Sequence, residues 1–328
     1  MNRGIVRLPT WLPIAAGVTL TAALFGVAAG VLPLPHWPRL TSRNTQVADP
    51  QLADRAESTM RQAWRLIQDA KRQAGIGIGS EGANDPSGLI GAEMTPLVTT
   101  LGSLESKRLS TLPAWPRVLV AQLQGAGVGT GSIVAASCSG SFPGLNLAVA
   151  CACRALGARL IAVSSVTSST WGANQPGFTW PEMEARLVAA GILTSGSIAI
   201  STGGDDDRAS DLEPDARLLA EQIGDHAALA LRAVRLRPSD YAEAVRMRID
   251  AFDRAADGGP IAVYINIGGS QASMGRSPTV LKLKSGWLGR DAFGSGLDDG
   301  VMGQMARRGI SVLHLLNIRD LAVRWGIL

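Results

Sequence analysis

A chain of 328 residues with 46% hydrophobic and only 5% aromatic residues has apolar material for one large core or two small ones. Its 31 basic and 27 acidic residues give a net charge of +4, yet Arg3, Arg7 and Arg39 contribute three of those charges and residues 1–40 contain no acid. Removing these three from the 31 leaves 28 bases against 27 acids, a net of +1. Such a balance carries no global signature of a nucleic-acid binder, and any contact with a polyanion has to be local.

The N-terminus is the first distinct segment. No Asp, Glu, Lys or Arg occurs from Leu8 to Pro38, and residues 11–34 are long enough to cross about 30 Å of hydrocarbon as a helix. Arg3 and Arg7 precede this span, so the expected orientation is N-terminus in the cytoplasm and the bulk of the chain outside. The alternative is a cleaved signal peptide, with Val27-Ala28-Ala29 as the small-residue region. Residues 1–38 are therefore expected to be a cytoplasmic N-terminus and single membrane anchor in the cell membrane.

Residues 39–112 are expected to hold a linker, an amphipathic helix and a polar extension. The helix is predicted over 51–73, with Leu52, Ala56, Met60, Ala63, Leu66, Ile67 and Ala70 on one side. Residues 75–88 are glycine-rich and predicted to be a loop. Residues 93–108, EMTPLVTTLGSLESKR, are rich in hydroxyls and charges and fit either a ligand-binding lid or an extension packed on the main domain.

From about residue 113 onward, strands and helices alternate. Helices are predicted near 116–124, 145–156, 181–190 and 319–325, with a helical stretch over 211–256 that breaks near Pro238. Strands are predicted at 132–136, 159–163, 197–201, 261–267 and 311–316. About five short apolar strands separated by helices imply an α/β domain over 113–328, with a mostly parallel sheet and helices on both faces. Right-handed crossovers gather the loops after the strands at one edge, where ligands bind in such folds.

Four of those loops carry candidate chemistry. In the first, Ser139 and Ser141 precede Pro143 and Asn146 at a helix start, where hydroxyls either cap the helix or bind a ligand. The second offers Ser168, Ser169, Thr170, Trp171 and Asn174. The third places Asp205, Asp206 and Asp207 before Arg208. Clustered carboxylates hold a divalent cation or act as acid and base, although Asp in a first helical turn also complements the helix dipole. The fourth, Gly268-Gly269-Ser270-Gln271, resembles a phosphate or carboxylate cradle but lacks the Walker lysine. Glu93, Thr99, Lys107 and Arg108 of the upstream segment complete the candidate ligand-binding set.

Three cysteines, Cys138, Cys151 and Cys153, make no zinc pattern and are expected to be small buried residues, with a catalytic thiol at Cys138 as the lesser alternative. The three histidines, His36, His226 and His314, follow no serine motif, and G-x-S-x-G is absent. A Ser-His-Asp triad is disfavoured, with His314 near a strand end as the histidine that keeps it open. A serine activated by Lys107 or Lys282 is a second route, and nothing in the spacing supports it.

Several phrases together resemble the poly-γ-glutamate system protein family: LIGAEMTPLVTTLGSLESKRLST (89–111), SCSGSFPGLN (137–146), SSVTSSTWGANQPGFTWPEME (164–184), YINIGGSQASMG (264–275) and VLHLLNIRDLAVRWGI (312–327). The resemblance spans nearly the whole chain. It implies a place in the machinery that makes and exports poly-γ-glutamate, and it carries no catalytic residue. The expectation is a membrane-anchored accessory protein that binds the polymer or its glutamyl units alongside membrane subunits of the synthase, with no nucleic acid and no cofactor beyond a divalent cation at Asp205–Asp207. One alternative is a hydrolase or transferase of γ-glutamyl amides, using Ser139, Ser141 or Asp206. The other is a structural subunit of the synthase.

Overall fold

The apolar runs of the sequence become the strands of one central sheet in the computed structural model, which describes residues 49–77, 85–294 and 299–328. Two short strands, β1 (Val98–Thr100) and β4 (Ser168–Ser169), pair in parallel beside it. The main sheet holds seven strands: β2 (Ile133–Cys138), β3 (Arg159–Ser165), β5 (Ala199–Ser201), β6 (Val234–Arg235), β7 (Ile261–Ile267), β8 (Gly286–Leu288) and β9 (Ser311–Leu315). Their order is β6-β5-β3-β2-β7-β9-β8. All neighbours are parallel except the antiparallel β8–β9 pair.

The α/β class and mostly parallel sheet thus follow the expectation, and two strands exceed it. β6 has two residues and β8 three, and neither sits in an apolar run that would announce it. β6 fills the break near Pro238, so the stretch expected as helix over 211–256 is helix, edge strand, helix.

Ten α-helices are described: α1 (Pro50–Gln73), α2 (Leu104–Ser110), α3 (Trp115–Gly125), α4 (Pro143–Leu156), α5 (Trp180–Ala189), α6 (Pro214–Leu231), α7 (Tyr241–Ala256), α8 (Gln271–Met274), α9 (Val301–Arg307) and α10 (Ile318–Arg324). The two-residue period of the strands sorts their side chains between two cores. Val134, Ala136, Cys138, Val263 and Ile265 join α1, α3 and α4 on one face. Ile133, Ala135, Ile161 and Tyr264 join α7 and α9 on the other.

α1 begins with Asp49 accepting from the Gln51 N–H at 2.9 Å and with Pro50 in the first turn. Its apolar face packs on α3 and α4, so residues from both the expected 39–112 extension and the expected 113–328 domain share one compact unit. Among the described residues no helix is long and apolar enough to cross a membrane. The expected anchor at 11–34 lies outside the described residues.

From β2 the chain builds outward through β3, β5 and β6, then returns through α7 to place β7 on the other side of β2. This reversal opens a crevice beyond the carboxyl ends of β2 and β7. Open α/β sheets bind their ligands at such a switch point.

Candidate functional site

The residue after β2 starts the site. Ser139 N–H donates to Ile267 O of β7 at 3.2 Å, and the Ser139 hydroxyl accepts from Ser141 N–H at 3.1 Å. Asn146 Nδ2 donates to Ser139 O at 2.8 Å, so this expected ligand-binding amide pins the loop from behind. Ser141 Oγ in turn accepts from Ser169 N–H at 3.0 Å, joining the loop after β2 to the loop after β3. Gly140 permits the join: a Cβ there would lie 2.7 Å from Thr167 O.

The upstream segment is strapped across these loops. Ser168 N–H donates to Leu97 O at 3.2 Å and Thr170 N–H to Thr100 O at 3.0 Å. The Thr170 hydroxyl exchanges hydrogen bonds with Gly102 N–H at 2.7 Å and Gly102 O at 3.0 Å. The Asn174 side chain holds both backbone groups of Ala92, at 3.0 and 2.7 Å. Thr170 and Asn174, expected to touch ligand, instead fasten the strap.

The strap delivers Lys107. It lies on α2, which Ser103 caps by accepting from Ser106 N–H at 3.3 Å. α2 can approach α4 closely because position 144 is glycine; a Cβ there would stand 2.4 Å from Ser110 O. Lys107 Nζ sits 2.7 Å from Ser169 Oγ, also donates to Ser141 O, and lies 3.9 Å from the centre of the Phe142 ring. The side chain is 2% exposed, and no salt bridge to it is found among the described residues. Burial alone lowers its pKa from 10.5 to about 7. A Lys–Ser contact across 62 positions is therefore present where sequence spacing offered no sign of one.

These segments enclose a cleft of about 450 Å³ at the switch point. Of the expected residues, Thr99, Lys107, Ser139, Ser141, Ser168, Ser169, Asp205, Gly269, Ser270 and Gln271 line it. Gly268 stands behind the wall with φ of +87°, where a Cβ would meet Ser139 Cβ at 2.9 Å. Glu93 and Arg108 are exposed and outside the lining. Ser165, Thr167, Ser106 and Asn317 line the cleft without having been anticipated. The first two belong to the same run of small hydroxyl residues as Ser168, so composition alone pointed to their neighbourhood.

The three aspartates diverge. Asp205 Oδ1 accepts from Gln271 Nε2 at 2.6 Å, Asp206 pairs with Arg276, and Asp207 takes a two-pronged contact from Arg248 at 2.7 Å per prong. Arg248 is 1% exposed and also reaches Ser201 at 2.6 Å and Ser165 at 3.0 Å, so Asp207 anchors the loop. No group of three or more His, Cys, Asp or Glu residues placed to hold a metal ion occurs among the described residues.

A second cleft, of about 330 Å³, is lined in part by Thr202, Asp207 and Arg208 of the same loop whose Gly203, Gly204 and Asp205 line the first. Arg208, Arg217, Arg235 and Arg237 line it, together with Asp207 and Glu221. Burial, and next the charge of Arg237, lower the pKa of Arg235. Arg208 was expected in the site and lies here; the other three were not anticipated, although Arg232, Arg235 and Arg237 form a basic run in the sequence.

His314 lies in β9, with Nδ1 3.0 Å from Asn266 Nδ2, and burial lowers its pKa to about 4. It is a neutral member of the sheet and hydrogen-bonds to an asparagine, not a serine. All three cysteines are buried and unpaired, and burial pushes the Cys138 thiol far up, away from the reactive thiolate.

Comparison of the chain with known protein families, curated proteins and solved structures gives no match.

Proposed function

We propose that the two clefts bind an anionic, amide-linked chain, the glutamyl units of poly-γ-glutamate, in a membrane-anchored accessory protein of that polymer's synthesis, export or processing. The observation that carries the reading is that one loop, residues 202–208, contributes to the walls of both clefts. One is lined with four arginines against Asp207 and Glu221, Arg235 and Arg237 also pairing with Asp225, a basic excess suited to carboxylates. The other is lined with hydroxyls and a buried amine suited to amide carbonyls. A γ-glutamyl chain presents both groups at every unit. The charge-free apolar run of residues 11–34, with Arg3 and Arg7 before it in the sequence, supports the anchored, extracytoplasmic reading. The phrases at 89–111, 137–146, 164–184, 264–275 and 312–327 that resemble the poly-γ-glutamate system family supply the lining of the main cleft except for Gly203, Gly204, Asp205 and Asp211, which supports the same assignment.

The test is titration of the full-length chain in detergent with poly-γ-glutamate fragments at two salt concentrations. Binding that weakens with salt, and weakens roughly tenfold in the Arg217→Glu/Arg237→Glu double variant, is the expected result. No binding, or binding indifferent to both arginines, overturns it.

A further inference from the structure

We infer that Ser169 and Lys107 form a nucleophile–base pair that breaks and remakes amide bonds at the floor of the main cleft. The choice of a γ-glutamyl amide as substrate rests on the polymer-binding reading, whereas the pair itself rests on geometry.

Four observations converge on it. Nζ and Oγ are 2.7 Å apart, within reach for direct proton transfer. Both residues line the cleft, so the pair faces the space a ligand fills. No carboxylate neutralises Lys107 among the described residues, and burial brings its pKa to about 7, so that a free amine is present at neutral pH. Lys107 Nζ is placed against a hydroxyl, a carbonyl and an aromatic face. The other charged side chains lining the cleft are Asp205 and Asp211, and both are already hydrogen-bonded. Glu105, on the same helix as Lys107, pairs with Arg319.

The chemistry balances without a metal or an oxidant. The neutral Lys107 amine removes the Ser169 hydroxyl proton as Oγ bonds to the amide carbon, and the carbonyl π pair moves onto oxygen. Ser141 Oγ already accepts from Ser169 N–H, which leaves its own O–H to stabilise that oxyanion as a hydrogen-bond donor, with no proton transferred. Collapse breaks the C–N bond, and the Lys107 ammonium passes its proton to the departing amine. Lys107, neutral again, deprotonates water as its oxygen bonds to the ester carbon; collapse breaks the C–Oγ bond and the Lys107 ammonium returns the proton to Ser169 Oγ, leaving a carboxylic acid and the starting pair. An incoming amine in place of water remakes an amide and completes a transfer.

The experiment treats the full-length chain in detergent with a fluorophosphonate, which esterifies activated serines, and locates the adduct by mass spectrometry while polymer binding is measured on the same preparation. Labelling is expected at Ser169, at a rate that rises with pH and levels off above about 7 as Lys107 loses its proton. Ser169→Ala abolishes it, and Lys107→Met and Lys107→Arg lower the rate roughly a hundredfold or more. The wild-type pH profile decides the matter even where a variant fails to fold. Polymer binding without Ser169 labelling overturns the pair and leaves the binding reading standing. Labelling without polymer binding supports the pair and overturns that reading. A label confined to another serine, or a rate flat between pH 6 and 9, also overturns the pair.

Discussion

At the scale of single residues, the interior holds titratable groups with opposing effects on stability. Glu184 on α5 is 3% exposed, and burial raises its pKa from 4.5 to about 7 against the opposing hydrogen bonds of Ser197. The folded state therefore holds an extra proton between about pH 4.5 and 7. Stability from this group is complete below that window and lost as the pH rises through it. His314, lowered from 6.5 to about 4, has the reverse slope over its own window, because there the unfolded chain binds the extra proton. Lys107 likewise favours folding more as the pH climbs from about 7 to 10.5. Urea melts of Glu184→Gln should show a variant that gains on the wild type between pH 5 and pH 8, by up to about 3 kcal/mol. A pH-independent difference would show that Glu184 does not titrate in that window.

At the scale of elements, the α2–α4 approach controls the site. The space at Gly144 leaves no room for a methyl group, since the Ser110 carbonyl it would meet is backbone. Gly144→Ala should lower stability by roughly 1–3 kcal/mol and displace α2, reducing Ser169 labelling more than the stability loss explains; calorimetry and labelling of one sample check both. Long elements were legible in the sequence because their periodicity is strong. β2, β7 and α1 fall within two residues of their expected bounds. β6 and β8 were not legible: a two-residue edge strand has no period, and a neighbouring strand recruits it. The strap over 93–108 was ambiguous for a related reason, since β1 has only three residues and its pairing depends on β4, about seventy positions away.

At the scale of the whole molecule, the switch point between β2 and β7 explains why loops scattered over more than a hundred positions meet. Strand–loop–helix alternation made that convergence predictable, and the hydroxyl loops were recognisable from composition. What each polar residue does there was not. Asn146, Thr170 and Asn174 look like ligand contacts in the sequence, yet they satisfy backbone groups that loop crossing would otherwise leave buried without partners. The arginine cleft was hidden because its residues come from the 203–208 loop, α6, and β6 with the residues after it. Each looks like an ordinary surface charge until the fold sets them side by side.

The β1–β4 pairing has a consequence in time as well as in space. Lys107 reaches Ser169 through a segment outside the main sheet, held beside β4 by a two-strand ladder, the Thr170 clasp and the Asn174 clamp. Small, peripheral ladders of this kind open more often than the core they rest on. The Ser168 and Thr170 amides, which close the ladder, should therefore exchange with deuterium faster than those of β2, as peptide-level hydrogen exchange will show. Equal protection would make strap and sheet one cooperative unit. Faster exchange means that the strap comes and goes while the sheet persists, so that the proposed Lys107–Ser169 pair is assembled only during the closed intervals and Ser169 labelling is lost on warming well before the protein unfolds.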